Sequence, residues 1–252
     1  MATSNARLCF ENLLENGTVV ASSEDAANPV ANAYDWLTSD FFKPAASGTI
    51  NIDLTLSGAD SADYFAFYGH DLYAHGGTIK LQWWDGASWV DCFTAVTPTD
   101  GTPQVVTFAS QTSTKWRVVI TCTSVFSIAV ISFGAQLPLE YGMYLGWTPP
   151  KFGRNTQLTN SQSDGGAFLG RSIIAKGVKS SLDVQYASDA WMRANWLTFV
   201  EHAEQKPFFF VPNIGTYPGD SVFAFTDADI PAPTQTHFGR MGTSIPILGM
   251  VE

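Results

Sequence analysis

Charge is what this sequence has least of. Only 14% of its residues are Asp, Glu, Lys or Arg, against about 25% in an ordinary soluble domain. The 13 basic residues form no cluster, and neutralising a phosphate backbone requires one, so nucleic acid is excluded as a partner. Cysteine is almost absent as well. Cys9, Cys92 and Cys122 are too few and too irregularly spaced for a disulfide framework or a CxxC zinc site. That usage fits synthesis in a reducing cytoplasm, with a Cys9–Cys122 bridge left open. No apolar run approaches the ~18 residues of a membrane span. The opening MATSNARLCFENLL lacks the basic start and apolar core of a secretory signal. GxSxG and Walker motifs are missing too, and FLGRS (168–172) matches no phosphate-binding pattern.

Apolar residues make up 45% of the 252-residue chain, enough for two modest domains or one large all-β domain. The net charge of −10 is uneven: residues 1–137 hold five Lys/Arg against thirteen Asp/Glu, and residues 138–252 eight against ten. Large uncharged polar surfaces of this kind suit packing between proteins, because few ions need desolvating there.

Short alternating segments fill the first half, the pattern of a β-sandwich. TINIDLTL (49–56), DYFAFYGH (63–70), TIKLQWW (78–84), PQVVTFAS (103–110), KWRVVITC (115–122) and FSIAVISFG (126–134) each read as a strand, with turn residues between them. Three of the eight tryptophans fall in KLQWWDGASWVDCF (80–93). Alternation turns Ile79, Leu81 and Trp83 inward and Lys80, Gln82 and Trp84 outward. Asp85–Gly86 marks a tight hairpin, and Trp89 on the return is expected in the core, which leaves Trp84 as the exposed ring.

The domain junction is expected at 135–142, within a stretch running to Pro149–Pro150. Beyond it, Ser188 can cap a helix over 189–205 whose acidic first turn suits the helix dipole. Met192, Trp196, Phe199, Val200 and Ala203 form one apolar face of that helix, and Lys206–Pro207 ends it. Strands are expected at 167–174, 178–186, 206–212 and 221–227. The fold class is therefore mainly β: a sandwich over 1–137 and a small β-domain with one packed helix over 138–252, each with its own aromatic core.

Candidate chemistry is thin. His70 and His75 flank Asp71 in the glycine-rich GHDLYAHGG, where solvated histidines are the simpler reading than a metal or catalytic site. His202, between Glu201 and Glu204, is expected on the polar side of the helix. Asp227 with Asp229, or Asp35 with Asp40, could serve as paired carboxylates for glycoside hydrolysis, but any acidic chain offers such pairs. The sequence thus points away from an enzyme and toward binding, with no cofactor or metal required. Aromatics in turns are the better candidates: Tyr34, Trp36, Phe41, Phe42 and Tyr73 can stack on sugars, anchor a protein interface or pack beneath loops. The candidate ligand-binding set is Tyr34, Trp36, Asp40, Phe41, His70, Tyr73 and Trp84.

ANPVANAYDWLTSDFF (27–42) resembles the opening of discoidin-type, galactose-binding-like domains through Asn28, Pro29, Ala33, Asp35, Thr38 and Phe41 or Phe42. INIDLTL, FAFYGHDL, KLQWWDGASWVDC, KWRVVIT and ISFGAQL continue the likeness over residues 10–137. The resemblance implies an eight-stranded jelly roll whose loops at one end bind glycans, lipids or proteins, with calcium near Asp35 and Asp40 in some members. Departures are the Asp35–Trp36 pair, where that family has Asp-Gly, and the lack of a bracketing cysteine pair.

FLGRSIIAKGVKSSLDV, WMRANWLTFVEHAEQKPFFFVP and GRMGTSIPILG are similar, in their order, to tail-tip proteins of tailed bacteriophages of the distal-tail type. This resemblance implies a virion protein, made in the host cytoplasm, whose C-terminal domain forms a ring. The ring would be hexameric and would contact other tail proteins, while the sandwich touches fibres or host-surface glycans. A stand-alone lectin is the alternative, and an accessory to a glycosidase or esterase a third reading.

Overall fold

The computed structural model describes residues 5–143, 148–149 and 152–250, the side chain of Ala175 apart. The described residues are mainly strand, in two antiparallel sheets, with one helix. Strand β1 (Arg7–Cys9) is followed by β2 (Gly17–Ala21), β3 (Gly48–His70), β4 (Thr78–Trp84), β5 (Trp89–Asp91), β6 (Gln104–Cys122) and β7 (Ile128–Gly134). Strands β2 to β7 make a six-stranded sheet in the order β2-β3-β6-β4-β5, with β7 on the free side of β3.

Four expected strands prove to be two. Residues 49–56 and 63–70 belong to the single 23-residue β3, and 103–110 and 115–122 to the 19-residue β6. Their pairing shifts register between Thr55 and Asp60 and again between Ala62 and Tyr64. Such bulges bend a strand and increase its twist. Each long strand therefore serves both layers: the early part of β3 pairs with β2, and its later part with β7. Counted by layer, the six strands give the eight segments of a jelly roll. Ile50, Ile52 and Leu54 from one layer meet Phe65, Phe67 and Phe133 from the other around Trp116.

The remaining strands are β8 (Leu137–Pro138), β9 (Arg154–Gln162), β10 (Phe168–Ser188), β11 (Phe208–Val211), β12 (Val222–Thr226), β13 (Thr234–His237) and β14 (Arg240–Met250). With β1 they form the second sheet, in the order β8-β1-β11-β12-β14-β10-β9, β13 lying beside β14. Ser188 caps the helix as expected, its Oγ accepting from Trp191 N at 3.2 Å. The helix runs Asp189–Trp191, a π turn at Met192–Trp196, then Leu197–Ala203. Met192, Trp196, Phe199 and Ala203 are buried with Phe208 and Phe210 against the sheet. None of the described helices is long and apolar enough to cross a membrane.

Two expectations about the halves need correction. The boundary at 137 does not separate the two sheets. β1 pairs with β11 (Leu8↔Phe210) and with β8 (Leu8↔Leu137), so the first strand sits inside the second sheet. Nor are there only two cores. A third buried layer lies between the halves, with Tyr64, Tyr68 and Val130 on the sandwich side meeting Phe209, Val211 and Phe223. Alternation explains it: β3 sends Phe65 and Phe67 into the sandwich, and Tyr64, Ala66 and Tyr68 out of its other face into the junction. All three cysteines are free; Cys9 lies in the junction layer and Cys122 in the sandwich core, which removes the Cys9–Cys122 bridge. Of the junction stretch 137–150, residues 144–147 and Pro150 lie outside the described residues.

One segment lies outside all three cores. Beyond Val178, which also pairs with Gly249 of β14, β9 and the first part of β10 pair only with each other, from Asn155↔Gly177 out to Gln162↔Phe168, and all nine residues of β9 are exposed. Phe168, Leu169, Ile173 and Ile174 are each more than half exposed on this two-stranded arm.

Candidate functional site

The sequence candidates separate into three places. Trp36 is neither exposed nor in a loop-end site: it is 3% exposed, within the junction layer. Its ring stacks on Phe223 at 6.3 Å and meets His202 edge-on at 5.3 Å. Its indole N–H donates to Glu15 Oε1, while Glu15 Oε2 accepts from Lys206 Nζ. Trp36 holds φ at +67°, a left-handed conformation that is costly for a bulky side chain, so burial of the ring must outweigh that strain. His202 is corrected along with it. Rather than facing water, it is half-buried between Trp36 and Phe10, with Nε2 2.8 Å from the Pro207 carbonyl. Burial pushes its imidazole down from the usual value.

Trp84 lies at the far end of β4 from the His70 loop, about 20 Å away at 3.3 Å per residue. Trp89 is not in the core. The register Trp84↔Trp89 puts both rings on the outer face of the sheet, 5.4 Å apart and edge-on. Arg117 lies over Trp89 at 4.2 Å and binds Asp53 through Nε and Nη2 at 2.6 and 2.9 Å. Lys80 and Gln82 both donate to Asp91. The polar groups around the two rings are thus already paired with one another.

His70, Tyr73 and Phe41 come together at one end of the sandwich. His70 pairs with Ile128 at the end of β3, and the Phe42–Ile128 bridge brings the 41–42 loop alongside. Asp71 fixes the neighbouring loop, accepting from Ser127 N at 2.8 Å and Ser127 Oγ at 3.1 Å. Phe41 and Tyr73 are exposed, while Tyr34 is half-buried against the sandwich core. Asp40 is half-buried, and its Oδ1 has no hydrogen-bond partner among the described residues. Asp35 is pushed above the usual carboxylate range by burial, the nearby Asp40 adding to the effect. Among the described residues these two carboxylates gain no third His, Cys, Asp or Glu that could help hold a cation, where calcium takes six to eight oxygens. Asp227 is engaged by Lys179 at 2.9 Å.

His70 is not the solvated loop residue its glycine-rich surroundings imply. It is 6% exposed, 5.0 Å from the Phe67 ring and 6.2 Å from Tyr73, and neither ring nitrogen has a partner among the described residues. Burial pushes its pKa down to about 4, against a smaller opposing pull from Asp71 and Asp100. In the unfolded chain the group titrates near 6.5. Below that pH the unfolded state binds a proton that the fold refuses. Its contribution is therefore complete above pH 6.5 and lost as the pH falls toward 4, on the order of 3 kcal/mol in all. Urea unfolding across this window should give a flatter pH profile for His70→Phe than for the parent protein; equal slopes would clear His70 of the effect.

Tyr73 borders a feature that the sequence did not signal. A cleft of about 460 Å3 opens between the halves, lined by Asp100, Thr102 and Gln104 of the sandwich and by Arg154, Lys176 and Asp220 of the second half. Gly101 ties the two together, because a Cβ there would stand 3.4 Å from Tyr73 Cε1. The sandwich wall is ordered by its own bonds: Asp100 Oδ1 accepts from Thr102 N at 3.0 Å and from Thr102 Oγ1, which accepts from Gln104 Nε2 at 3.1 Å. Ser221 Oγ donates to the Pro103 carbonyl across the junction, pinning the walls to each other. The result is an exposed aromatic ring beside a concave, polar, pre-ordered surface.

No protein-family model matches the chain, and no curated protein matches it. Solved structures align with about half of it. CpGH89CBM32-5 from Clostridium perfringens, in complex with GalNAc-β-1,3-galactose, is 18% identical, with 50% of this chain and 100% of that one covered at a TM-score of 0.42. Chitosan-binding module 1 from a chitosanase/glucanase of Paenibacillus sp. IK-5 is 22% identical, covering 50% and 99% at 0.41. SpGH29 is 20% identical, with 28% of its length covered at 0.43. At such identities and scores this is a partial likeness, and it says nothing of ligand or activity.

Proposed function

We propose that the protein is a carbohydrate-binding β-sandwich joined to an assembly domain, and that it acts by binding rather than by catalysis. The observation that carries the first part is Tyr73 beside the cleft. A half-exposed aromatic ring offers a stacking face for a sugar, and the adjoining wall of Asp100, Thr102 and Gln104 supplies directed hydrogen bonds for its hydroxyls. Pre-ordered groups lose less freedom on binding, which favours affinity. On a glycan array followed by calorimetry, Tyr73→Ala should weaken the best ligand about tenfold or more. Unchanged affinity in that variant would remove Tyr73 from the site, and an array with no hits would remove the glycan reading.

The second part rests on a separate observation, the exposed arm. A lone two-stranded ribbon is at best marginally stable in water, and this one presents Phe168, Leu169, Ile173 and Ile174 to solvent. Its natural place is against another chain. We read that chain as a further copy of the same protein, in a ring of about six subunits, the arrangement expected of a phage tail tip assembled with other tail proteins from host cytoplasm. Electron micrographs of the purified protein should show closed rings.

A further inference from the structure

We propose that the cleft between the halves recognises the carboxylate of an acidic saccharide, a uronate or nonulosonate residue within a glycan, and that Arg154 from the second half is the group that grips it. The inference rests on the glycan reading and extends it to a chemical class.

Arg154 is the starting point. Among the described residues its guanidinium has no hydrogen bond or ion pair, whereas Lys179, Arg193 and Lys206 each reach a carboxylate within 2.9 Å. In a chain of net charge −10, a cation left without a carboxylate at the wall of a cleft is an unspent recognition group. The planar fork of arginine matches a carboxylate through two parallel hydrogen bonds, which adds direction as well as strength. Lys176 lines the same wall and adds positive potential.

The opposite charges select among anions. Asp100 and Asp220 also line the cleft. They would repel a compact ion such as phosphate or sulfate, and a densely charged polymer as well, yet they are good acceptors for sugar hydroxyls. A molecule that satisfies the whole lining carries one carboxylate for Arg154 and several hydroxyls for Asp100, Asp220 and Gln104. That description fits an acidic sugar in a mixed glycan. The volume of about 460 Å3 falls within the roughly 300–1,000 Å3 of small-molecule sites. Because the cations come from β9 and β10, and Asp100, Thr102 and Gln104 from the sandwich, neither half could form this site alone.

The test is calorimetry of the full chain with a panel of uronate- and nonulosonate-containing trisaccharides, each paired with its carboxyl-reduced neutral form, and with inorganic phosphate as a free anion. At least one acidic sugar should bind about 10- to 100-fold tighter than its reduced form, the range of a charge-assisted pair. That preference should shrink with added salt, and phosphate should bind weakly or not at all. Arg154→Gln should abolish the preference while leaving the thermal midpoint unchanged, since the side chain is exposed. Equal affinity for every acidic sugar and its reduced form, or an acidic preference that survives Arg154→Gln, overturns the inference and leaves the glycan reading standing. Phosphate binding as tight as the sugars overturns it too. A parent protein that binds no sugar, neutral ones included, sinks both.

Discussion

Replacing Trp36 with alanine should destabilise the protein by about 3–5 kcal/mol, the range for a fully buried large aromatic, and lower its melting midpoint by about 10 °C for a chain of this size. The ring sits against His202 and Phe223 and reaches Phe209 at 6.4 Å. Its removal therefore opens a cavity at the seam between the halves rather than inside either of them. Glu15 would lose one of its two donors and keep only Lys206. Alanine gains nothing from the backbone, because φ of +67° is unfavourable for it as well. Since Trp36 anchors the first half to residues beyond 200, the damage should appear as lost cooperativity. Calorimetry should resolve two transitions in the variant where the parent shows one. A loss below about 1 kcal/mol with one transition retained would mean that the junction layer does not couple the halves. Trp36→Phe, which keeps most of the stacking but not the hydrogen bond, should fall between the two.

Trp36 also marks the limit of what the sequence could reveal. Local pattern was enough for β4, where TIKLQWW coincides with Thr78–Trp84, and for the helix, where Ser188 caps the first turn and the apolar face packs as expected. Both depend on near-neighbour periodicity and capping, which a sequence displays directly. Trp36 stands in a polar, turn-rich segment with no period, and its ring partners His202, Phe209 and Phe223 lie more than 160 residues away. Nothing local distinguishes it from an exposed loop aromatic. The same reason hides β1, whose three residues pair only with strands of the second sheet. Trp89 departs from the expected core position for a different reason. The hairpin signal was right, but the face a returning strand shows depends on register, and a slip of one residue reverses it. The fusions within β3 and β6 leave no local mark, because bulges let polar residues such as Ser57, Asp60 and Ser113 pass through continuous strands without ending them. Of the candidate site, Tyr73 and Phe41 were legible as exposed aromatics. The cleft was not, for its walls are brought together only by the junction.

Removing the arm should convert an assembled protein into a monomer without harming the fold. Replacing residues 158–174 by Asn-Gly preserves the Gln157–Ala175 pair and closes it with a two-residue turn suited to a hairpin. Thr156 and Lys176 stay in place, so the cleft keeps its lining. The excised residues make their strand pairs only with one another, so little stability is at stake. Assembly is another matter. Burying Phe168, Leu169, Ile173 and Ile174 against a neighbour contributes about 1.5–3 kcal/mol each, some 6–12 kcal/mol gross. That is comparable to the roughly 4–15 kcal/mol cost of association. Hydrogen bonds at the open outer edge of β9 add to it, an edge that otherwise invites uncontrolled pairing. With terms so closely balanced, loss of the arm should weaken self-association by at least about 100-fold, and Ile173→Lys alone by about tenfold or more. Sedimentation velocity across a concentration series reads both. Sugar affinity of the arm-deleted monomer should match that of the parent, since binding and assembly use different surfaces. A full-length chain that sediments as a monomer at every concentration, or a deletion variant that assembles as well as the parent, would remove the arm from any role in joining copies.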